Sequence, residues 1–159
     1  MSKIAPCLWF DGQAEEAANF YVSLFPDSRI DKVTRAPADY PSGKAGDVLM
    51  VAFTLDGRSF TGLNGGPYFN FNEAVSFQVD CQDQAEVDRF WEALSAVPEA
   101  EQCGWVKDRY GLSWQIIPSV LPRLLADPDP DIARRVMKAM MDMKKIDIAA
   151  LERARDGQG

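Results

Sequence analysis

The sequence predicts an α+β fold in which one strand-and-helix module is stated twice and is followed by a helical extension. The first observation behind this is a repeat. Leu8-Trp9-Phe10-Asp11 leads into Ala14-Glu15-Glu16 and then Phe20-Tyr21-Val22-Ser23-Leu24, while Phe77-Gln78-Val79-Asp80 leads into Ala85-Glu86 and then Phe90-Trp91-Glu92-Ala93-Leu94. The offset is 69 residues from Phe10 to Val79 and 70 from Phe20 to Phe90, so a single insertion separates the copies. Second, hydrophobic spacing in each copy switches from alternation to a three- and four-residue period, the change expected between strand and helix. Third, the strand-like runs stop at Pro118 and the remaining pattern is helical. A repeat this long is half of a domain, and two copies of a sheet fragment can build one site between them.

Taken in order, Ile4 to Phe10 is a short apolar strand ended by Asp11-Gly12. Ala14 to Phe25 is a helix whose Ala17, Phe20, Tyr21 and Leu24 form one stripe, stopped by Pro26-Asp27. Ser28 to Arg35 is a strand, Ala36 to Gly46 a Pro- and Gly-containing loop, and Asp47 to Leu55 and Arg58 to Leu63 are strands joined by an Asp56-Gly57 hairpin turn. Asn64-Gly65-Gly66-Pro67 closes the first copy, which reads βαβββ. It is a turn and not a phosphate loop, since it lacks the lysine and following helix that such loops use. In the second copy Ala74 to Asp80 is a strand, Gln84 to Val97 a helix, and Gln102 to Lys107 and Leu112 to Ile117 are strands around the turn Arg109-Tyr110-Gly111. Beyond Pro118 come a helical turn at Leu121 to Leu125, the loop Asp127-Pro128-Asp129-Pro130, a helix from Asp131 to about Met143 and a last helix from Asp147 to Arg155. The expected organisation is one domain over 1–118, with modules at about 1–67 and 73–118, and a helical extension over 119–159.

At 159 residues the chain is long enough for one self-sufficient core. No apolar run approaches the roughly 20 residues of a membrane span, and Pro6 and Asp11 interrupt any signal-peptide core, so a cytoplasmic protein without membrane contact is expected. Cys7, Cys81 and Cys103 contain no CxxC pair and read as reduced thiols. A net charge of −7 opposes phosphate backbones and speaks against a nucleic-acid partner.

These residues resemble the vicinal oxygen chelate superfamily, which includes glyoxalase I, extradiol dioxygenases and bleomycin-resistance proteins. The resemblance rests on the repeated βαβββ pattern, on Phe20-Tyr21 near the end of the first helix, and on Asp108-Arg109-Tyr110-Gly111-Leu112-Ser113-Trp114 before the last strand. Within it, Leu8-Trp9-Phe10-Asp11-Gly12, Leu63-Asn64-Gly65-Gly66-Pro67, Cys103-Gly104-Trp105-Val106-Lys107-Asp108 and Lys144-Lys145-Ile146-Asp147-Ile148-Ala149-Ala150-Leu151 are similar to the PhnB-like branch, often labelled 3-demethylubiquinone-9 3-methyltransferase-like. The resemblance implies the glyoxalase/bleomycin-resistance fold: paired βαβββ modules in a curved, partly open eight-stranded sheet around an inter-module pocket. It also implies pairing of protomers, and the Met-rich stripe Val136, Met137, Met140 and Met143 offers an apolar surface to bury, against its own sheet or in a homodimer.

Metal-using members of the superfamily hold a divalent ion with His, Gln or Glu from equivalent strands. This chain contains no histidine. Carried over by position, the ligand sites fall near Ala5, near Ala74, on Thr61 or Leu63, and on Gln115. One glutamine falls short of the roughly three protein ligands that a catalytic metal site uses, so neither a metal nor another cofactor is expected.

Strand alternation sets the expected pocket face. With Leu8 and Phe10 under the first helix, Ala5, Cys7 and Trp9 face inward. The same parity sends Val75, Phe77 and Val79 to the helix side and Ala74, Ser76 and Gln78 to the pocket, along with Ser113, Gln115 and Ile117. Trp105 adds an aromatic wall and Asn64 a polar point. The candidate ligand-binding residues are therefore Cys7, Trp9, Asn64, Ser76, Gln78, Trp105, Ser113 and Gln115. A plain packing role stands beside each: the tryptophans as core, Gln115 as partner of a neighbouring strand, Cys7 as a small hydrophobe. Asp11 and Asp80 read as turn or helix-start residues, and Lys107, Asp108 and Arg109 as a solvated turn.

Three functional classes fit these features. The first is a metal-independent protein binding a small, largely apolar molecule. The second is an enzyme, either a metal-dependent isomerase, lyase or dioxygenase or the methyltransferase of the branch label. No G-x-G-x-x-G-like segment follows the first strand to support the last of these. The third is a structural or regulatory dimer with a vestigial pocket.

Overall fold

A computed structural model describes residues 2–158. Its elements are β1 (Cys7–Phe10), α1 (Ala14–Leu24), β2 (Arg29–Arg35), β3 (Val48–Leu55), β4 (Arg58–Asn64), β5 (Ser76–Cys81), α2 (Gln84–Leu94), β6 (Trp105–Lys107), β7 (Ser113–Pro118), α3 (Val120–Leu125), α4 (Pro130–Met141) and α5 (Ile148–Arg155). The fold is α+β, and the chain divides into the units Met1–Phe71 and Asn72–Gly159. One copy of the repeat lies in each unit.

In the first unit the sheet order is β1-β4-β3-β2, with β1 parallel to β4 and the other pairs antiparallel. Leu8, Phe10, Val51, Phe53 and Phe60 are buried together with Ala14, Ala17, Ala18 and Tyr21 of α1. That stripe starts earlier than the expected Ala17-Phe20-Tyr21-Leu24, and Phe20 and Leu24 are only half-buried. Small side chains explain the shift. A Cβ on Gly62 would lie 3.3 Å from the Ala14 Cβ and 3.4 Å from the Phe10 ring, so glycine beneath alanine lets the first helical turn approach the sheet. Phe53 stacks on Phe60 with ring centroids 5.6 Å apart, and each fully buried side chain of this size is worth about 1.5–3 kcal/mol. The β3–β4 hairpin turns through Asp56 (φ 49°) and Gly57 (φ 77°), the paired positive φ of a type I′ turn, as the Asp-Gly signal predicts.

In the second unit the order is β5-β7-β6, with β5 parallel to β7 and β6 antiparallel to it. Helix α2 buries Val87, Phe90 and Leu94, a regular i, i+3, i+7 stripe. Seven strands form among the described residues, where the family resemblance implied eight. A 3₁₀ turn at Pro98–Ala100 stands between α2 and β6. The flanking backbone N–H groups of Ser95, Ala96, Cys103 and Gly104 donate to the carbonyls of Trp91, Lys107, Met143 and Lys144. Amides used in this way cannot build another ladder.

Helices α3 to α5 enclose a core of Leu121, Leu124, Val136, Ile146 and Leu151, against which Ile117 of β7 also packs. Of the expected methionine stripe, Val136 is buried and Met140 and Met143 are half-buried, whereas Met137 is 51% exposed. The buried line is thus 136 and 140 on α4 and 143 just beyond its end, and Met137 faces outward with Met141. Each of α2, α4 and α5 starts with an aspartate, Asp83, Asp129 or Asp147, whose side chain accepts a backbone N–H of the first turn. Among the described residues no helix is long and apolar enough to cross a membrane.

Candidate functional site

Each sheet has a helix-covered face and an opposite face, and the residues singled out by alternation sort onto the latter with one exception. In the first unit the β1–β4 register sets Cys7 beside Thr61 and Trp9 beside Leu63, and the β4–β3 register continues to Ala52 and Met50. Trp9, Met50, Ala52, Thr61 and Leu63 are half-buried and Cys7 is exposed. The result is an apolar row, Trp9-Leu63-Met50. Trp9 is held rigidly there. Its indole N–H donates to the Gly66 carbonyl at 2.8 Å, its ring lies where a Cβ on Gly65 would have to sit, and Phe69 meets it edge-on at 4.8 Å. Trp9 therefore offers a wall, with its polar atom already used.

In the second unit the ladders align Ser76 with Ser113 and Lys107, and Gln78 with Gln115 and Trp105. The Gln115 amide N–H donates to Ser76 Oγ at 2.9 Å. Ser76, Gln115 and Trp105 are half-buried, Gln78 is exposed, and Ser113 is buried at 1% exposure. Lys107 Nζ lies 2.6 Å from Glu73, whose carboxyl it holds below the usual carboxylate range. At the far end of β7, Ile117 meets the core of the helical extension. Val75, expected on the helix side, precedes β5 and is 63% exposed because no ladder fixes its direction.

The 69-residue offset equates Cys7 with Ser76 and Trp9 with Gln78, and their parallel partners then equate Thr61 with Ser113 and Leu63 with Gln115. Trp9 and Leu63 of the first sheet stand where the second carries the amides Gln78 and Gln115, whereas Thr61 and Ser113 carry hydroxyls in both.

Asn64 is the exception. It pairs in register with Phe10, on the helix side, and is 7% exposed. Its Oδ1 accepts the Ala14 N–H at 2.8 Å and its Nδ2 donates to the Val48 carbonyl at 2.9 Å. The repeat explains this use. An offset of 70 sets Gln13 opposite Asp83, and Asp83 caps its own helix whereas Gln13 makes no cap bond. Asn64 supplies the missing cap from the end of β4.

Asp108 was read from the sequence as part of a solvated turn, and the structure corrects this. It is 1% exposed, with Oδ1 accepting the N–H groups of Tyr110 (2.8 Å) and Leu112 (3.0 Å) and Oδ2 accepting the Trp114 indole N–H (2.9 Å). The available signal was an aspartate at the head of a turn six residues before a core tryptophan whose N–H needs a partner.

The metal implied by the superfamily does not fit these residues. Ala5 and Ala74 are exposed and outside the strands, and the position equivalent to Gln115 is Leu63. Gln115 donates to Ser76 through Nε2, which leaves its Oε1 as a single ligand atom for a metal, and no group of three or more His, Cys, Asp or Glu side chains gathers among the described residues.

The thiols differ sharply. Cys7 is exposed, Cys103 Sγ donates to the Met141 carbonyl at 3.6 Å, and Cys81 is fully buried. Burial, and then the negative charges of Glu86 and Asp80, push the Cys81 thiol from 9.0 up to about 12. The folded state thus keeps a proton that the unfolded state releases above pH 9.0, so this contribution is intact below pH 9.0 and is lost as pH rises toward about 12. Stability should fall in that window by about 1.4 kcal/mol per pH unit more steeply than in Cys81→Ala. Denaturant titrations at pH 8 to 11 would show equal slopes if Cys81 ionised normally.

The family model described as 3-demethylubiquinone-9 3-methyltransferase matches residues 2–117. Among solved structures, one described as a PhnB protein from Bacillus cereus is 35% identical, with a TM-score of 0.63 over 74% of this chain and 100% of that one. A protein from Pseudomonas aeruginosa is 18% identical, with a TM-score of 0.56 over 74% of this chain and 98% of that one, and shares the fold. Among curated proteins there is no match.

Proposed function

The chain belongs to the 3-demethylubiquinone-9 3-methyltransferase family, and we propose that it is a PhnB-like member of the vicinal oxygen chelate superfamily that binds a small, largely apolar molecule at an open sheet face without using a metal. The observation that carries this reading is the pairing of chemistries at equivalent positions. The row Trp9-Leu63-Met50 is apolar, and the row Gln78-Gln115-Trp105 adds amides beside an aromatic ring. Mostly apolar surface with a few fixed polar groups is how weakly polar molecules are held. The absence of histidine, with leucine at the position equivalent to Gln115, supports a metal-free site. Methyl transfer, which the family description names, finds no support at β1, because the strand is followed by Asp11-Gly12-Gln13 and α1 and not by a Gly-rich loop.

The test is a thermal-shift screen of uncharged aromatic and aliphatic molecules on untagged protein purified without chelator, with metal content measured by mass spectrometry. A ligand that raises Tm and quenches tryptophan fluorescence is expected, with about tenfold weaker binding after Trp105→Ala or Gln115→Leu. Near-stoichiometric metal, or a melting shift caused by S-adenosylmethionine alone, would replace this reading by an enzymatic one.

A further inference from the structure

A second cavity, in the helical extension and separate from the sheet faces, has a chemistry of its own. It is a groove of about 410 Å³ between α4 and α5, a volume within the range of small-molecule sites. Arg135, Lys138 and Ala139 line it from α4, Met143 from just beyond the end of that helix, and Ala150, Arg153 and Ala154 from α5. These positions recur at three- and four-residue spacing, so each helix contributes one continuous stripe. Gly157 (φ 77°) turns the chain back beyond α5, where Gln158 N–H donates to the Arg153 carbonyl at 2.8 Å, and both residues close one end of the groove.

Charge distinguishes this groove from an ordinary packing hollow. The chain carries a net charge of −7, yet the groove gathers three cations and no carboxylate. None of Arg135, Lys138 and Arg153 forms an ion pair among the described residues. The Asp156 carboxylate pairs with Arg155 and also acts electrostatically on Arg135. Arg135 is also held in place: its Nε and Nη2 donate to the Ala154 and Arg155 carbonyls at 2.8 and 2.6 Å, fixing a half-buried guanidinium at the groove wall. Bringing three cations together with only Asp156, itself paired with Arg155, acting on one of them is unfavourable, and an anion seated among them relieves it. Between the cations the lining is apolar: three alanines and the half-buried Met143.

We infer that this groove binds a small amphipathic anion, an alkyl or aryl carboxylate whose apolar body lies on Ala139, Met143 and Ala150 and whose carboxylate is held by Lys138 and Arg153 beside Arg135. The charge complementarity names the head group, and a volume of about 410 Å³ in an open groove suits a small molecule.

The probe is octanoate, with octanol and octylammonium as controls, titrated into the full chain while backbone amide NMR shifts are followed. Octanoate should move the amides of residues 138–143, 150–154 and 157–158 in a saturable manner, and the controls should not. The double substitution Lys138→Glu with Arg153→Glu, both exposed and so compatible with folding, should weaken octanoate by about tenfold or more. Ala139→Phe should block it by filling the groove while leaving the charges intact. Shifts centred on other residues, equal binding of octanol, or an unchanged affinity in the charge-reversed variant would each overturn the assignment. So would movement of the same amides with protein concentration alone, which would make the groove a self-association surface. Because these amides lie outside both sheets, failure here is separate from failure of the sheet-face proposal.

Discussion

Asp108→Ala is expected to lower the unfolding free energy by about 3–5 kcal/mol, the largest loss from any single polar substitution in the second unit. The carboxylate is 1% exposed and accepts three N–H groups, two from the backbone of its own turn and one from Trp114. Hydrogen bonds to a charged group contribute about 1.5–3 kcal/mol each, and every buried donor left without a partner costs about 1–3 kcal/mol. These contributions are not additive, which sets the estimate below their sum. Asp108→Asn is the informative companion. It keeps the shape and one acceptor oxygen but turns an NH₂ group toward an N–H donor, so it should recover only part of the loss. Urea unfolding followed by tryptophan fluorescence reads both variants. A loss below about 1 kcal/mol for alanine would mean that water or another group replaces the carboxylate, contrary to its burial. Since domains are stable by only about 5–15 kcal/mol, Asp108→Ala could leave the protein near its folding threshold at 37 °C.

The second large effect is expected at Asn64. Asn64→Leu, close in size but apolar, should destabilise the protein by about 2–4 kcal/mol, because it strands the Ala14 N–H and the Val48 carbonyl together. Ala14 is fully buried, so water cannot take over its N–H. Asn64→Asp would keep the cap on α1 but set a carboxylate against the Val48 carbonyl, and should be no better tolerated. The repeat provides an internal comparison. Asp83→Ala removes the equivalent cap from α2, but at an ordinary helix start the loss should be only about 1 kcal/mol. Hydrogen exchange should show the first turn of α1 opening in Asn64→Leu and the first turn of α2 opening in Asp83→Ala. Equal losses for the two would show that Asn64 acts as a cap and nothing more.

Where a residue's role depends on local pattern, it could be read from the chain. Alternation in β1 and β7 separated the buried Leu8, Phe10, Trp114 and Ile116 from the more accessible Cys7, Trp9 and Gln115, but not Ser113, which is buried, nor Ile117, which packs on the helical extension instead of a pocket. The Asp56-Gly57 hairpin was legible for the same reason, since its chemistry spans a few residues, whereas the helix-start reading fell on Asp11 and Asp80 and the caps are Asp83, Asp129 and Asp147. Roles that depend on a distant partner were not legible. Asn64 sits in a turn-like Asn-Gly-Gly-Pro run, and nothing nearby says that its amide reaches Ala14, fifty residues away. Asp108, between Lys107 and Arg109, looks solvated until the burial of Trp114 above the turn is known.

The order of strands and helices, the internal repeat and the family were legible in the amino-acid sequence, because periodicity and repeat spacing are properties of the chain itself. Tertiary structure alone decided which polar side chains are used up. Gln115 faces Ser76, Trp9 is tied to Gly66, Asn64 caps a helix that lacks its own cap, and the segment between α2 and β6 spends its amides on α2, β6 and the 143–144 carbonyls instead of forming a strand. The same is true of the cationic groove, whose lining comes from two helices that meet only after the chain reverses between Met141 and Ile148. Hydrogen-bond satisfaction and charge clustering are set by which groups meet in space, and contacts between residues far apart in the chain leave no periodic trace in the sequence.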